Sequence, residues 1–172
     1  MALHVVLYQP EIPQNTGNVM RTCAATGTRL HLIEPLGFKL DPKNLRRAGV
    51  NYLEHVTYDV WKDWDTFYAA HPGIYAFFTR YGSISPDRFD FTVPDAEIHL
   101  VFGRESNGLP KELLKAHRET CLRLPMHECV RSLNLANVVA IGVYEALRQR
   151  GYSGLSGTEP ATLKGADWLD RD

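Results

Sequence analysis

The chain has 172 residues, 44% of them hydrophobic and 23% charged, and a formal net charge of −1. That length fits one domain with a real core, and the near-neutral charge excludes a histone-like cationic coat while leaving room for nucleic-acid binding through a local cluster of Lys and Arg. Cys23, Cys121 and Cys129 form no CxxC pair, which argues against a disulfide framework or zinc knuckle and for a reducing cytoplasm. No apolar run approaches the ~18–20 residues of a membrane span, and the opening "MALHVVLYQPEIP" lacks a signal-peptide pattern.

In chain order, "LHVVLYQP" is a short β-branched run closed by proline and reads as a buried strand. "NTGNVMRTCAATGT" has helical spacing, with Asn15 or Thr16 as cap, an apolar stripe of Val19, Met20, Cys23 and Ala24, and Gly27 as the stop. "RLHLIEP" is a second strand. "DPKNLRRAG" predicts a short helix capped by Asp41 with Pro42 in its first turn. A weaker helix follows in "VWKDWDTFYAAH", then a strand in "GIYAFFT" and an irregular excursion in "YGSISPDRFDF". "IHLVFG" is a strand, "PKELLKAH" a short helix and "CLRLPM" another strand. "SLNLANVVAIGVYEALRQR" predicts a helix of about five turns. The folded domain is expected over 1–155, with 156–172 a mobile, glycine- and serine-rich tail that Trp168 and Leu169 would anchor if they docked.

Short apolar strands alternating with helices predict an α/β fold with a mostly parallel sheet covered on both faces. In such sheets ligands sit beyond the carboxyl ends of the strands. Three polar loops fall there: "QPEIPQNTGN", "GRESNGLP" and "PMHECVRSLN". The last helix carries two apolar lines, Leu135/Val139/Val143/Leu147 and Ala136/Ala140/Tyr144. A helix so apolar needs cover on more than one side, from a large core or, as favoured for a small domain, from a second subunit. Gly142 costs roughly 1 kcal/mol against alanine in a helix, which predicts a close backbone approach.

Within the loops, Arg21 is either a grip for an anion such as phosphate or an ordinary solvated arginine. Gly103 and Gly108 permit tight turning and close ligand approach. Glu105 beside them disfavours nucleotide phosphates, unless Arg21 or Arg131 neutralises it. Arg131, Ser132 and Asn134 stand at the start of the long helix, where free N–H groups suit a polar ligand, or where Ser132 and Asn134 merely cap. The seven histidines are scattered without metal-ligand spacing, so no metal is expected. No GxSxG elbow, phosphate loop or GxGxxG is present.

Taken together, "PEIPQNTGNVMRTCAATG", "LVFGRESNGLP" and "LPMHECVRSLNLANVVAIGVYEALRQ" resemble, in order and spacing, the SPOUT-class RNA methyltransferases. The resemblance covers about residues 3 to 152 and is nearest the small single-domain branch that 2′-O-methylates the wobble nucleotide, position 34, of tRNA. It implies an α/β domain with a C-terminal trefoil knot, a rare departure from unknotted topology. It also implies a homodimer and S-adenosylmethionine bent in the knot. The cofactor contacts would fall at Phe78, Gly103, Leu124 and Ser132. Arg21 would act as base or phosphate grip, and Glu105 would orient or pair with an arginine. Arg131, Asn134 and Tyr144 would line the RNA side, with Asn15 and Gly17 shaping the first loop. For tRNA, Lys43, Arg46 and Arg47 form the best landing cluster beside Asn15, and marked salt dependence is expected. A methyltransferase of ribosomal RNA or of another tRNA position, and a catalytically silent RNA-binding module, are the alternatives.

Overall fold

The structure is a computed structural model and describes residues 2–40 and 53–171. The predicted helix at 41–49, and with it Lys43, Arg46 and Arg47, lies outside the described residues. Six strands form one sheet: β1 (Leu3–Tyr8), β2 (Arg29–Ile33), β3 (Tyr58–Trp61), β4 (Ile74–Phe78), β5 (Ile98–Phe102) and β6 (Cys121–Leu122). Their order is β3-β2-β1-β5-β4-β6, and every pairing is parallel. The described helices are α1 (Pro13–Thr26), α2 (Trp64–Ala70), α3 (Lys111–Ala116) and α4 (Leu135–Gln149).

Strand alternation decides which helix covers which face. Leu3, Val5 and Leu7 of β1 share a core with Ile98, Leu100 and Phe102 of β5 and with residues of α1 and α4. Val6 and Val101 point the other way and pack with Phe67 of α2, Phe77 of β4 and Leu113 and Leu114 of α3. Because both faces are covered, the central strands read as continuous apolar runs, which is why the sequence shows them clearly.

Several boundaries differ from expectation. Val60 and Trp61 belong to β3, and the helix after them starts at Trp64, where the Asp63 side chain accepts from Thr66 N (2.8 Å). The strand predicted over 121–126 is only two residues long. The long helix begins at Leu135 rather than Ser132; Asn134 is its cap, accepting from Ala136 N (2.9 Å). For α1, neither Asn15 nor Thr16 is the cap: Ile12 holds that position without a side-chain bond, Pro13 begins the helix, and Gly27 ends it with φ 65°.

β6 is bracketed by one stretch of chain. Thr79 N–H donates to Leu122 O (2.9 Å) on one side, and Arg123 N–H donates to Ile84 O (2.8 Å) on the other. Residues 79 and 84 thus pair with the two edges of the strand.

In α4, Val139, Val143, Ala146 and Leu147 are buried in the core. A Cβ on Gly142 would stand 2.7 Å from Phe78 Cζ, so the predicted close approach is to a ring at the carboxyl end of β4. Asn137, Ile141, Tyr144 and Arg148 form the exposed stripe opposite. Past α4, the last regular element is a 3-10 turn at Trp168–Asp170; Trp168 and Leu169 are exposed rather than docked.

The histidines, scattered in sequence, gather in space under α2. His4, His31, His71 and His99 have neighbouring rings, with centroids 4.7 Å apart for His4 and His99 and 4.8 Å for His31 and His71. Trp61 Nε1–H donates to His31 Nδ1 (3.2 Å). An indole only donates, so His31 must carry its proton on Nε2, which faces His4 Nδ1 at 2.9 Å. His4 then donates from Nε2 to the Glu97 carboxylate. Burial pushes His31 and His99 down to about 3 and holds His4 below its usual range. Among the described residues, no group of three or more His, Cys, Asp or Glu is arranged to hold a metal.

Candidate active site

A cleft of about 580 Å³ lies beyond the carboxyl ends of β4, β5 and β6, within the usual range for a small-molecule site. Its apolar floor includes Phe78, Phe102 and Leu122, with the two phenylalanine rings stacked at 4.7 Å. All four expected cofactor positions, Phe78, Gly103, Leu124 and Ser132, line it, as do Asn15, Glu105, Arg131 and Asn134. Arg21 and Tyr144 are not among the lining residues; Arg21 is exposed on α1 and Tyr144 on the outer stripe of α4.

The second loop is a closed hairpin. Arg104 and Gly108 exchange backbone hydrogen bonds of 3.2 and 2.9 Å. A Cβ on Gly103 would lie 2.2 Å from Gly108 C and 2.3 Å from Leu109 N, a distance no side chain tolerates. The hairpin therefore closes on itself only because residue 103 carries no side chain.

Among the described residues, no arginine pairs with Glu105. Its carboxylate accepts from Glu11 N (2.8 Å), Ile12 N (3.3 Å) and Asn15 Nδ2 (3.0 Å). It therefore supplies, from a loop 90 residues away in sequence, the anion that α1 lacks at its amino end. Glu11 returns the contact: its carboxylate accepts from Ser106 N and Ser106 Oγ, both at 2.9 Å. Those bonds hold the Glu11 carboxyl below its usual range. Asn15 Oδ1 accepts from Asn134 Nδ2 (2.9 Å), while Asn134 Oδ1 caps α4. Each amide has its oxygen and nitrogen assigned by these partners.

The three loops are thus bound into one unit: hairpin to first loop through the two glutamates, first loop to α4 through the two asparagines. Because Glu105 is turned to the α1 amides, it no longer argues against an anionic ligand. Arg80, Arg104, Arg123 and Arg131 also line the cleft, giving it a cationic rim. Glu11, Ser106, Arg80 and Tyr81 were not singled out by sequence reasoning. "PE" and "ES" stand in the quoted loops, but no spacing rule pairs residues 95 apart. The apolar floor, exposed main chain and lack of a phosphate loop fit the adenosine and amino-acid parts of S-adenosylmethionine.

The SpoU rRNA Methylase family matches residues 2–144. The tRNA (cytidine(34)-2'-O)-methyltransferase of Burkholderia cenocepacia is 51% identical over 156 residues, which cover 88% of this chain and 97% of that protein. A solved structure described as giving structural insights into the 2-OH methylation of C/U34 on tRNA is 46% identical, with a TM-score of 0.78, covering 87% of this chain and 97% of that one. The SpoU methyltransferase AviRb from Streptomyces viridochromogenes, in complex with the cofactor AdoMet, is 25% identical with a TM-score of 0.73, covering 87% of this chain and 60% of that one. With its three loops closed around one cleft and its sequence matched over most of its length, the chain belongs to the SpoU rRNA methylase family.

Proposed function

We propose that the chain transfers the methyl group of S-adenosylmethionine to the ribose 2′-hydroxyl of nucleotide 34, cytidine or uridine, in the anticodon loop of tRNA. The observation that carries this reading is the binding of three separate loops into one unit around the cleft by Glu105, Asn15 and Asn134. The choice of nucleotide rests on the Burkholderia relative and on the C/U34 structure.

When bound, S-adenosylmethionine supplies an electrophilic methyl carbon on a sulfonium. The chain's own residues hold and orient. Phe78, Leu124 and Ser132 contact the cofactor from the floor and the third loop, and Gly103 leaves room for close main-chain contact. Glu105 and Asn134 hold the first loop, and through it the start of α1, in register with the hairpin. Arg21 grips the phosphate beside the target ribose and so sets the 2′-oxygen in line with the methyl carbon. Arg131 and Tyr144 face the RNA, and Lys43, Arg46 and Arg47 receive its phosphates.

The reading includes a homodimer in the cytoplasm. Ile141 and Tyr144 are 43% and 46% exposed on the outer stripe of α4, beside α1. A second copy docked there would cover that stripe and bring Arg21 and Tyr144 into an RNA site shared by two chains.

The test is nucleoside mass spectrometry of unmodified tRNA and of ribosomal RNA after incubation with protein and S-adenosylmethionine. A 2′-O-methyl pyrimidine in the tRNA is expected. A mark found on ribosomal RNA alone would overturn the substrate, and failure to bind S-adenosylmethionine in calorimetry would overturn the reaction.

A further inference from the structure

We infer that Tyr81, backed by Arg80, is a stacking platform for an RNA base next to the methylated ribose. The inference rests on the RNA methyltransferase reading above and deepens it. Tyr81 lines the cleft, yet it is 71% exposed, so packing does not account for its ring. The Arg80 guanidinium carbon stands 4.9 Å from the ring centroid, a cation–π contact that steadies one face. The opposite face is left for a planar partner.

The loop that carries the ring is tied down. Thr79 N–H donates to Leu122 O (2.9 Å), Tyr81 N–H donates to Thr79 Oγ1 (3.3 Å), and the Arg123 guanidinium donates to Arg80 O. An exposed aromatic held on an anchored loop meets a ligand with little ordering cost. Arg80, Arg104, Arg123 and Arg131 share the rim, the interleaving of cations with an aromatic that single-stranded RNA calls for. The cofactor adenine is the competing occupant. Its natural seat is the enclosed floor, where Phe78 is 7% exposed, not a ring standing in solvent.

The experiment measures tRNA affinity by fluorescence anisotropy and S-adenosylmethionine affinity by calorimetry, for the wild type and for Tyr81→Ala, Tyr81→Phe and Tyr81→Trp. Tyr81→Ala is expected to weaken tRNA binding about 5- to 150-fold, the span of base–aromatic stacking. The slope of affinity against salt should not change, because no phosphate contact is removed. Cofactor affinity should stay within about twofold, which also reports an intact fold, and either aromatic variant should recover most of the loss. Unchanged tRNA affinity in Tyr81→Ala overturns the platform while leaving the methyltransferase reading standing. A loss of cofactor affinity equal to the loss of tRNA affinity assigns the ring to the adenine instead. A wild type that binds no RNA overturns both readings.

Discussion

The two ends of the sheet are both polar, and for opposite reasons. At the carboxyl end, Glu11, Glu105, Asn15 and Asn134 tie three loops together around an open cleft. From Trp61 at the carboxyl end of β3 toward Glu97 at the amino end of β5, Trp61, His31, His4 and Glu97 form a directional relay that crosses the sheet beneath α2. His4, His31 and His99 have shifted ionisation, a common mark of a functional site, yet they do not line the cleft at the carboxyl end. Burial sets the ionisation of His4, His31 and His99, and the hydrogen bonds of His4 and His31 make those two part of the core. What separates a site from a polar core here is loops from distant parts of the chain converging on open space. Damage at the carboxyl end should therefore remove activity and leave the fold, and damage at the amino end should do the reverse.

The largest effect is expected from Arg21→Ala, which should lower turnover about 10²-fold or more through loss of positioning while cofactor affinity in calorimetry holds. Equal loss of both would make Arg21 structural. Gly103→Ala forces a Cβ against the Gly108–Leu109 backbone; it should weaken S-adenosylmethionine at least tenfold and cost about 1–3 kcal/mol in denaturant unfolding. At the other end, His31→Ala leaves the Trp61 and His4 nitrogens unpaired and should cost about 2–4 kcal/mol with no change in cofactor affinity.

Acid sharpens the same contrast. A histidine that ionises at about 3 in the fold and at 6.5 when free takes up its proton more readily unfolded. Its contribution is complete above 6.5 and is lost as pH falls from there toward 3. Melting temperature should decline through that window, and the decline should be shallower in a His99→Phe variant, which removes one of the groups that burial holds at about 3 and whose ring nitrogens have no hydrogen-bond partner among the described residues. The smallest effect is expected from Glu11→Ala, about three- to tenfold in cofactor affinity, from loss of charge-assisted bonds to the Ser106 hairpin. Glu11→Gln, which keeps an oxygen acceptor, should recover part of it.

How legible these features are in the sequence follows from their range. β1, β2, β4 and β5 are apolar runs because both faces are covered, and a run is a local signal. β3 is not legible because "YDVW" is half-buried and its tryptophan runs into the next helix. The site residues Gly103, Glu105, Ser132 and Asn134 are legible by type and spacing. Glu105's partners are not, since they lie 90 to 94 residues away and depend on β1 and β5 being neighbours in the sheet. The same holds for four histidines drawn from four different elements. Local chemistry is written in short stretches; partners across the sheet are written in topology.

The most direct measurement is nuclease mapping with mass spectrometry of a tRNA methylated by the purified protein. A single 2′-O-methyl group at nucleotide 34, absent when S-adenosylmethionine is withheld, is the predicted result. A methyl group at another position, or on a base rather than a ribose, would contradict the account.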